Sequence, residues 1–330
     1  MVTTDMDIPV SGKRNYFLIR LFPVLALCVF FSACAGREKP AKQAEEDVSE
    51  VEIYQEQETE KISSTVAENS FENAVIHQPQ RQLPSLSGIG GRVNVSEIDP
   101  LNYENPDLDI LRKMGAEQYL ISFLAGEQLY KSGNIDRALT EYTVSINQNS
   151  EFIEALISRG NAWLKKKEYS RAIDDYSRAI RLNNNRAELY NYRGFARAEL
   201  ASGNRLTDES RMREYNLAIE DFTRAIALNR NYADALINRS HVFYQTENYD
   251  RVIQDCDSII RLEPQNAYIW NRRGSAWYHK KEDDRAIRDF TEAIKIRNNY
   301  AVAYYNRANA WYNKGELDKA LEDMEASRKY

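Results

Sequence analysis

Five arginines and five aspartates stand out by type and spacing. Arg159, Arg193, Arg239, Arg273 and Arg307 share one place in a recurring pattern, and Asp175, Asp221, Asp255, Asp289 and Asp323 share another. The separation is 16 residues in four of the pairs and 28 in the pair Arg193 and Asp221. A ladder of guanidinium groups binds anions; a guanidinium in register with a carboxylate makes a bidentate bridge. A twelve-residue insertion accounts for the longer separation, so the pairing follows structural register rather than sequence distance. That favours a bridge between two elements over an anion ladder.

Other groups that carry chemistry are sparse. The three histidines are His77, His241 and His279, and the three cysteines are Cys28, Cys34 and Cys256. Two histidines without a third ligand make no metal site. No glycine-rich phosphate loop and no His-Glu-x-x-His motif occurs in the sequence. Cys256 occupies a position that is aromatic or apolar elsewhere in the pattern, which predicts a buried, inert thiol. No disulfide framework is expected. The carboxylates recur with the pattern and mark scaffold and solvated faces. The chain is therefore read as a non-enzyme without metal or cofactor.

Cys34 ends an apolar run. Lys13, Arg14 and Arg20 precede the segment from Leu21 to Phe31, and Phe31-Ser32-Ala33-Cys34 follows. Basic residues, a short apolar core and small residues after it read as a secretory signal. The run is too short to span a bilayer comfortably, which takes about 20 residues. Residues 35–106 hold six basic and fourteen acidic residues, whereas 107–330 is near neutral, so the net charge of −6 resides in the former stretch. A near-neutral folded part has no field to steer nucleic acid, and no nucleic-acid partner is expected. The Glu/Gln-rich stretch 41–61 and the Pro/Gly-containing stretch 78–92 cannot bury enough apolar surface to fold alone. They predict a flexible, disordered tether with a reach on the order of 45 Å.

The rest of the chain is periodic. Ala138, Ala172, Ala218, Val252, Ala286 and Ala320 follow one another at steps of 34, 46, 34, 34 and 34 residues. A fixed period of this size marks an array of helix–turn–helix units. Gly126, Gly160, Gly194, Ser240, Gly274 and Ala308 supply a small residue in each first helix. Tyr142, Tyr176, Phe222, Cys256, Phe290 and Met324 recur on each second helix. Small against large at helical spacing lets an antiparallel pair interlock and stack on the next. Asn183 to Asn185 and Asn298-Asn299 are expected to form turns because Asn tolerates turn conformations.

The period and these residues resemble the tetratricopeptide repeat (TPR) family. The resemblance implies an all-α, right-handed superhelical solenoid of about six helix–turn–helix repeats, at 119–152, 153–186, 187–232, 233–266, 267–300 and 301–330. The repeats form a domain over 107–330, preceded by the tether. Its inner groove would be lined by first helices, and the family's groove positions fall on Phe123, Glu127 and Tyr130, then Ile157, Asn161 and Leu164. They continue with Asn191, Phe195 and Ala198, then Ile237, His241 and Tyr244. The last two repeats contribute Asn271, Ser275 and Tyr278, then Tyr305, Asn309 and Tyr312. These tyrosines either contact a partner or merely cover the helix stack. The twelve extra residues of the third repeat predict longer helices with a tip near Gly203 to Leu206, capped by Thr207 with Asp208 and Glu209 in the first turn. The insertion is equally a binding element or a tolerated loop.

The segment ending at Cys34 resembles a bacterial lipobox, with Phe31 where the family prefers Leu. That implies a signal peptide over 1–33 and a lipidated tether over 34–106. Cleavage beside Ala33-Cys34-Ala35 and an uncleaved anchor remain alternatives. Ala35-Gly36 after the cysteine implies the outer membrane, with the protein lipid-anchored in the cell envelope and facing the periplasm. The resemblance to TPR lipoproteins implies a membrane-anchored interaction scaffold that binds an envelope protein or peptide segment. A ligand-binding or partner subunit of an envelope solute-transport system is the alternative. At the C-terminal edge, the helix holding Leu317, Leu321 and Met324 either frays or docks on a second copy. Cys34→Ala is expected to abolish acylation and retain the signal, as read by radiolabelled palmitate; undiminished label in the variant counts against the lipobox.

Overall fold

The computed structural model describes residues 108–113, 115–203 and 206–330. The signal segment, Cys34 and the tether lie outside the described residues. All thirteen elements among the described residues are helices: α1 (Leu108–Lys113), α2 (Gln118–Lys131), α3 (Ile135–Gln148), α4 (Ile153–Lys165), α5 (Tyr169–Leu182), α6 (Ala187–Ser202), α7 (Asp208–Leu228), α8 (Ala233–Gln245), α9 (Tyr249–Leu262), α10 (Ala267–His279), α11 (Asp283–Ile296), α12 (Ala301–Asn313) and α13 (Leu317–Lys329). The all-α solenoid expected from the period is what forms. Each helix from α2 onward packs on its neighbours in the chain. Second-neighbour packing joins first helices: α2 to α4, α6 to α8 and α10 to α12. The first helices thus lie close together along one face of the stack.

The sequence explains the pairing. In α5, Ala172, Tyr176, Ala179 and Ile180 are buried on one stripe while Arg171, Asp174 and Arg181 stay outside. Small residues on the first helices let the second helices approach. A Cβ placed on Gly160 would lie 2.6 Å from the Tyr176 ring, and one on Gly126 would lie 2.5 Å from Tyr142. Where the facing residue is Cys256 or Met324, the small site is relaxed to Ser240 or Ala308, all four being buried.

The arginines and aspartates come together in every pair. Arg159 donates to Asp175 through Nε (2.9 Å) and Nη2 (2.6 Å). Arg193 does so with Asp221 at 3.0 and 2.7 Å, across the insertion. Arg239 and Asp255, Arg273 and Asp289, and Arg307 and Asp323 repeat the fork. The remaining Nη1 of each arginine reaches back to the previous repeat. It donates to Thr143, Ser177, Thr223, Asp257 and Thr291 in turn, at 2.5 to 3.1 Å. One side chain therefore ties its own first and second helices to the second helix before them. The aspartates are buried. Burial pushes the Asp175, Asp255 and Asp289 carboxyls up, against the opposing pull of their arginines.

The turns show where side chains replace the usual punctuation. Gly133, Lys167, Glu247, Lys281 and Gly315 hold the same left-handed position after the first helix, with φ of 80, 59, 56, 64 and 76°. At α4 the Glu168 N–H donates to Trp163 C=O and the Lys167 N–H to Leu164 C=O, the pattern of a Schellman end. The third repeat lacks this turn because α6 runs on to Ser202. In the other type of turn, Asn149, Asn183 and Asn229 are extended, with φ of −134, −146 and −138°. Their value is not tolerance of a turn conformation. Each side-chain Oδ1 accepts the N–H two residues on, from Glu151, Asn185 and Asn231.

The insertion lengthens α6 to 16 residues and α7 to 21. Thr207 Oγ1 accepts the Ser210 N–H at 3.3 Å, with Asp208 and Glu209 in the first turn. The added turns carry a small core in which Ala198, Ala201 and Tyr215 are buried.

Arg239→Ala leaves Asp255 buried without its partner and should cost about 3–5 kcal/mol in denaturant unfolding. Thr223→Ala should cost only about 0.5–1.5 kcal/mol; equal costs would mean the fork is not the main tie. Lys281→Gly removes left-handed strain worth roughly 1–2 kcal/mol and adds unfolded-state entropy, for a net gain of about 0.5–1 kcal/mol. A lowered thermal midpoint would show that the Lys281 backbone is not strained.

Candidate functional site

The groove positions lie on α2, α4, α6, α8, α10 and α12, and the structure divides them into two kinds. Asn161, Asn191, Asn271 and Tyr305 are buried. Asn161 Oδ1 accepts the Tyr176 hydroxyl at 2.7 Å. In the preceding repeat Glu127 Oε1 does the same for Tyr142, accepting its hydroxyl at 2.7 Å. Asn191 Oδ1 accepts the Asn238 amide at 3.1 Å, and Asn271 Oδ1 accepts that of Asn306 at 3.1 Å. These amides join one first helix to the next and set the spacing of the groove floor.

Tyr130, His241, Tyr244, Tyr278, Asn309 and Tyr312 are half-buried instead. Lys165 Nζ sits 5.2 Å from the Tyr130 ring centre. Tyr244 meets Tyr249 and His279 edge-on, with 5.6 Å between ring centres in each case. The Tyr244 hydroxyl lies 2.9 Å from His279 Nε2, and His279 stacks on Tyr249 at 4.8 Å with the rings 1° from parallel. Tyr278 adds an edge contact to His279 at 5.8 Å. Repeats four to six thus offer an amphipathic wall of Tyr, His and Asn. Rigid rings supply contact area at low entropic cost, and amides and hydroxyls adapt their hydrogen bonds.

Arg272 is the residue that the groove pattern missed. It lies on α10 and is 9% exposed. Nη2 donates to His241 Nδ1 at 3.1 Å and to the Tyr268 hydroxyl. The guanidinium carbon also lies 4.7 Å from the Tyr268 ring centre. Arginine only donates, so His241 Nδ1 is the acceptor of this bond, and His241 Nε2 lies 3.4 Å from Gln245 Nε2. Burial, then the Arg272 charge, pulls His241 down to about 3. A sequence signal existed. The corresponding residues of the other repeats are Leu124, Ser158, Tyr192, Asn238 and Asn306, none of them charged.

Cys256 is buried and its thiol is pushed up to about 12 by burial, which leaves it inert as a nucleophile at neutral pH. Among the described residues no group of His, Cys, Asp and Glu could hold a metal ion, and no helix is long and apolar enough to cross a membrane.

Residues 153–186 match a family model described as tetratricopeptide repeat, and residues 204–267 and 257–301 match a second model of the same description. No curated protein matches the chain. Among solved structures, YrrB, described as a TPR protein with an unusual peptide-binding site, superposes with a TM-score of 0.50 at 18% identity. The match covers 60% of this chain and 96% of that one. The MamA protein gives a TM-score of 0.49 at 24% identity, covering 56% and 94%. A tetratricopeptide repeat protein from Parabacteroides merdae gives 0.48 at 20% identity, covering 67% and 83%. At these identities the likeness concerns the fold alone. The stacked helix pairs and the family models together identify the segments 153–186 and 204–301 of this chain as tetratricopeptide repeats.

Proposed function

We propose that this protein is an interaction scaffold whose groove holds a peptide segment or helix of a protein of the bacterial cell envelope, with Cys34 as the lipid anchor. The observation that carries the binding reading is the wall formed by Tyr244, Tyr278, Tyr312, His279 and Asn309. These side chains recur on successive first helices and are not consumed by the core. Tyr and Asn at this density suit a protein partner better than solvent. The description of YrrB as having a peptide-binding site supports the same use of the fold. The anchor rests on the basic, apolar and small-residue order that ends at Cys34. The amphipathic wall favours a protein segment over a small solute of a transport system, since its contact groups are spread over three successive first helices, α8, α10 and α12, rather than gathered at one point.

Tyr278→Ala combined with Tyr312→Ala should weaken capture of the partner from envelope extract, by roughly 2 kcal/mol or more for each aromatic that is a hot spot. Helical content by circular dichroism should be unchanged. Undiminished capture would move the binding surface away from this wall.

A further inference from the structure

The near-neutral charge of the repeats hides a local excess at one rim of the stack, where each first helix ends and each second helix begins. In repeats one and two these segments are 131–137 and 165–171. They carry Lys131, Arg137, Lys165, Lys166, Lys167 and Arg171 against Asp136 and Glu168. In the equivalent segments of repeats four to six, 245–251, 279–285 and 313–319, six bases meet seven acids. The rim is built alike in both halves. Lys166, Lys280 and Lys314 each reach back to an aspartate of the repeat before, Asp136, Asp250 and Asp284. What sets repeat two apart is the pair after its lysines and Glu168, where Tyr169 and Ser170 stand in place of Asp283 and Asp284 of repeat five.

All six basic residues are exposed. They form one patch, because α2 packs on α4 and Lys166, the C-cap of α4, is held by Asp136 at the start of α3. Lys165 Nζ lies 5.2 Å from the ring centre of Tyr130, the neighbour of Lys131 in the chain. The Arg171 guanidinium carbon lies 4.6 Å from the Trp163 ring centre. Outside the two segments, the Lys167 charge bears on Glu199, and Glu127 is engaged by the Tyr142 hydroxyl. The positive excess survives both. Like charges gathered this way repel one another, and an anionic surface relieves that repulsion.

The composition selects among anions. Four of the six bases are lysines, hydrated point charges without the planar fork that grips one carboxylate or phosphate. Spread over two turns, they suit a sheet of charge rather than a single group. Tyr130 and Trp163 lie half-buried at their base, and such rings settle at the headgroup level of a membrane. The place in the chain agrees. The repeats are entered from the Cys34 side through α1, which packs on α2, the helix that ends at Lys131.

We propose that the lysine-rich rim of repeats one and two docks on the anionic phospholipid headgroups of the membrane that holds Cys34. The tyrosine wall belongs to other repeats and stays available to a partner. This rests on the anchor reading above and extends it from one lipidated residue to a folded face.

The test uses the full chain reconstituted in vesicles of phosphatidylcholine, alone or mixed with phosphatidylglycerol, each containing a trace of dansyl-labelled phosphatidylethanolamine. Energy transfer from tryptophan to dansyl reads how closely the repeats approach the headgroups. Of Trp163, Trp270, Trp277 and Trp311, Trp163 is the one in the patch. Transfer is expected to rise severalfold with phosphatidylglycerol and to fall with added salt. Trp163→Phe should remove most of it. Lys165→Gln, Lys166→Gln and Lys167→Gln together should abolish the effect of phosphatidylglycerol. Arginine at the same three positions should keep it, because a charged surface reads charge rather than side-chain shape. Lys280→Gln with Lys281→Gln, on the balanced part of the rim, should change nothing. Helical content is checked for each variant; if the triple Gln variant does not fold, the salt dependence and Trp163→Phe carry the comparison. Equal transfer on the two compositions would overturn the proposal, as would an undiminished response of Trp163→Phe or of the folded triple Gln variant. Weakened capture of the envelope partner by that variant, with transfer unchanged, would make the rim a protein contact and overturn it too. Sedimentation with neutral vesicles reports the anchor separately. A chain that leaves neutral vesicles yet responds to phosphatidylglycerol would sink the anchor reading and keep the rim. A chain held on both compositions without that response would keep the anchor and sink the rim.

Discussion

The guanidinium fork between successive helix pairs is the constraint on which this stack depends. Apolar contacts between helices are numerous but do not by themselves fix a unique register, because burial is non-directional. A planar fork meeting a buried carboxylate is directional. Each arginine uses Nε and Nη2 on the aspartate of its own repeat and Nη1 on the second helix of the repeat before. Five such staples span the five junctions of six helix pairs. Burial raises three of the aspartates against the pull of their arginines, so desolvation offsets part of what the fork contributes there. Its removal is expensive because the carboxylate stays behind.

The third repeat shows the rule under load. Twelve extra residues separate Arg193 from Asp221, yet the fork closes at 3.0 and 2.7 Å. The insertion is placed beyond the staple, in extra turns at the far ends of α6 and α7. One turn along α6, Arg197 adds a second guanidinium to Asp221 at 2.8 Å. The longer helices also bury Ala201 and Tyr215 in a core of their own. A loop of this size costs little when the junction that it interrupts is fixed by side chains rather than by chain length.

The period, the small-against-large contacts and the arginine–aspartate register were legible in the sequence because each repeats in a form that only one geometry satisfies. The hydroxyl partners of the fork were legible in principle: Thr143, Ser177, Thr223 and Thr291 each precede an arginine by 16 residues. Other features were not. An Asn on a first helix faces the groove whether its amide is spent inside or offered outside. Asn191 and Asn271 are spent, and only the partner across the junction, Asn238 or Asn306, reveals it. Lys167, Glu247 and Lys281 hold left-handed turns without a glycine to announce them, because the Schellman hydrogen bonds and the stack beyond outweigh a local preference. Arg272 was visible as the one charged residue at its place, but its tie to His241 across the junction is one that only the packed helices reveal.

These features divide a first helix into two sides with different freedoms. With 3.6 residues per turn, the arginine and the small residue after it turn towards the second helix, while residues two before and two after them turn towards the groove. The first side is nearly invariant within the chain: Arg followed by Gly, Ser or Ala, from Arg159-Gly160 to Arg307-Ala308. The second side varies freely, from Ile157 and Asn161 to Asn271 and Ser275. Because the staple and the interlocked ring hold each pair, the groove positions differ from repeat to repeat, although Asn161, Asn191, Asn271 and Tyr305 among them are buried. The variation is itself graded. Glu127 and Asn161 still serve the core by accepting a buried tyrosine hydroxyl. From α8 onward the second helices carry Cys256, Phe290 and Met324 in place of tyrosine, which present no hydroxyl to satisfy. His241, Ser275 and Asn309, at the equivalent place, are released from that duty. The more adaptable stretch of the groove therefore lies in repeats four to six, where the tyrosine wall and Arg272 also lie.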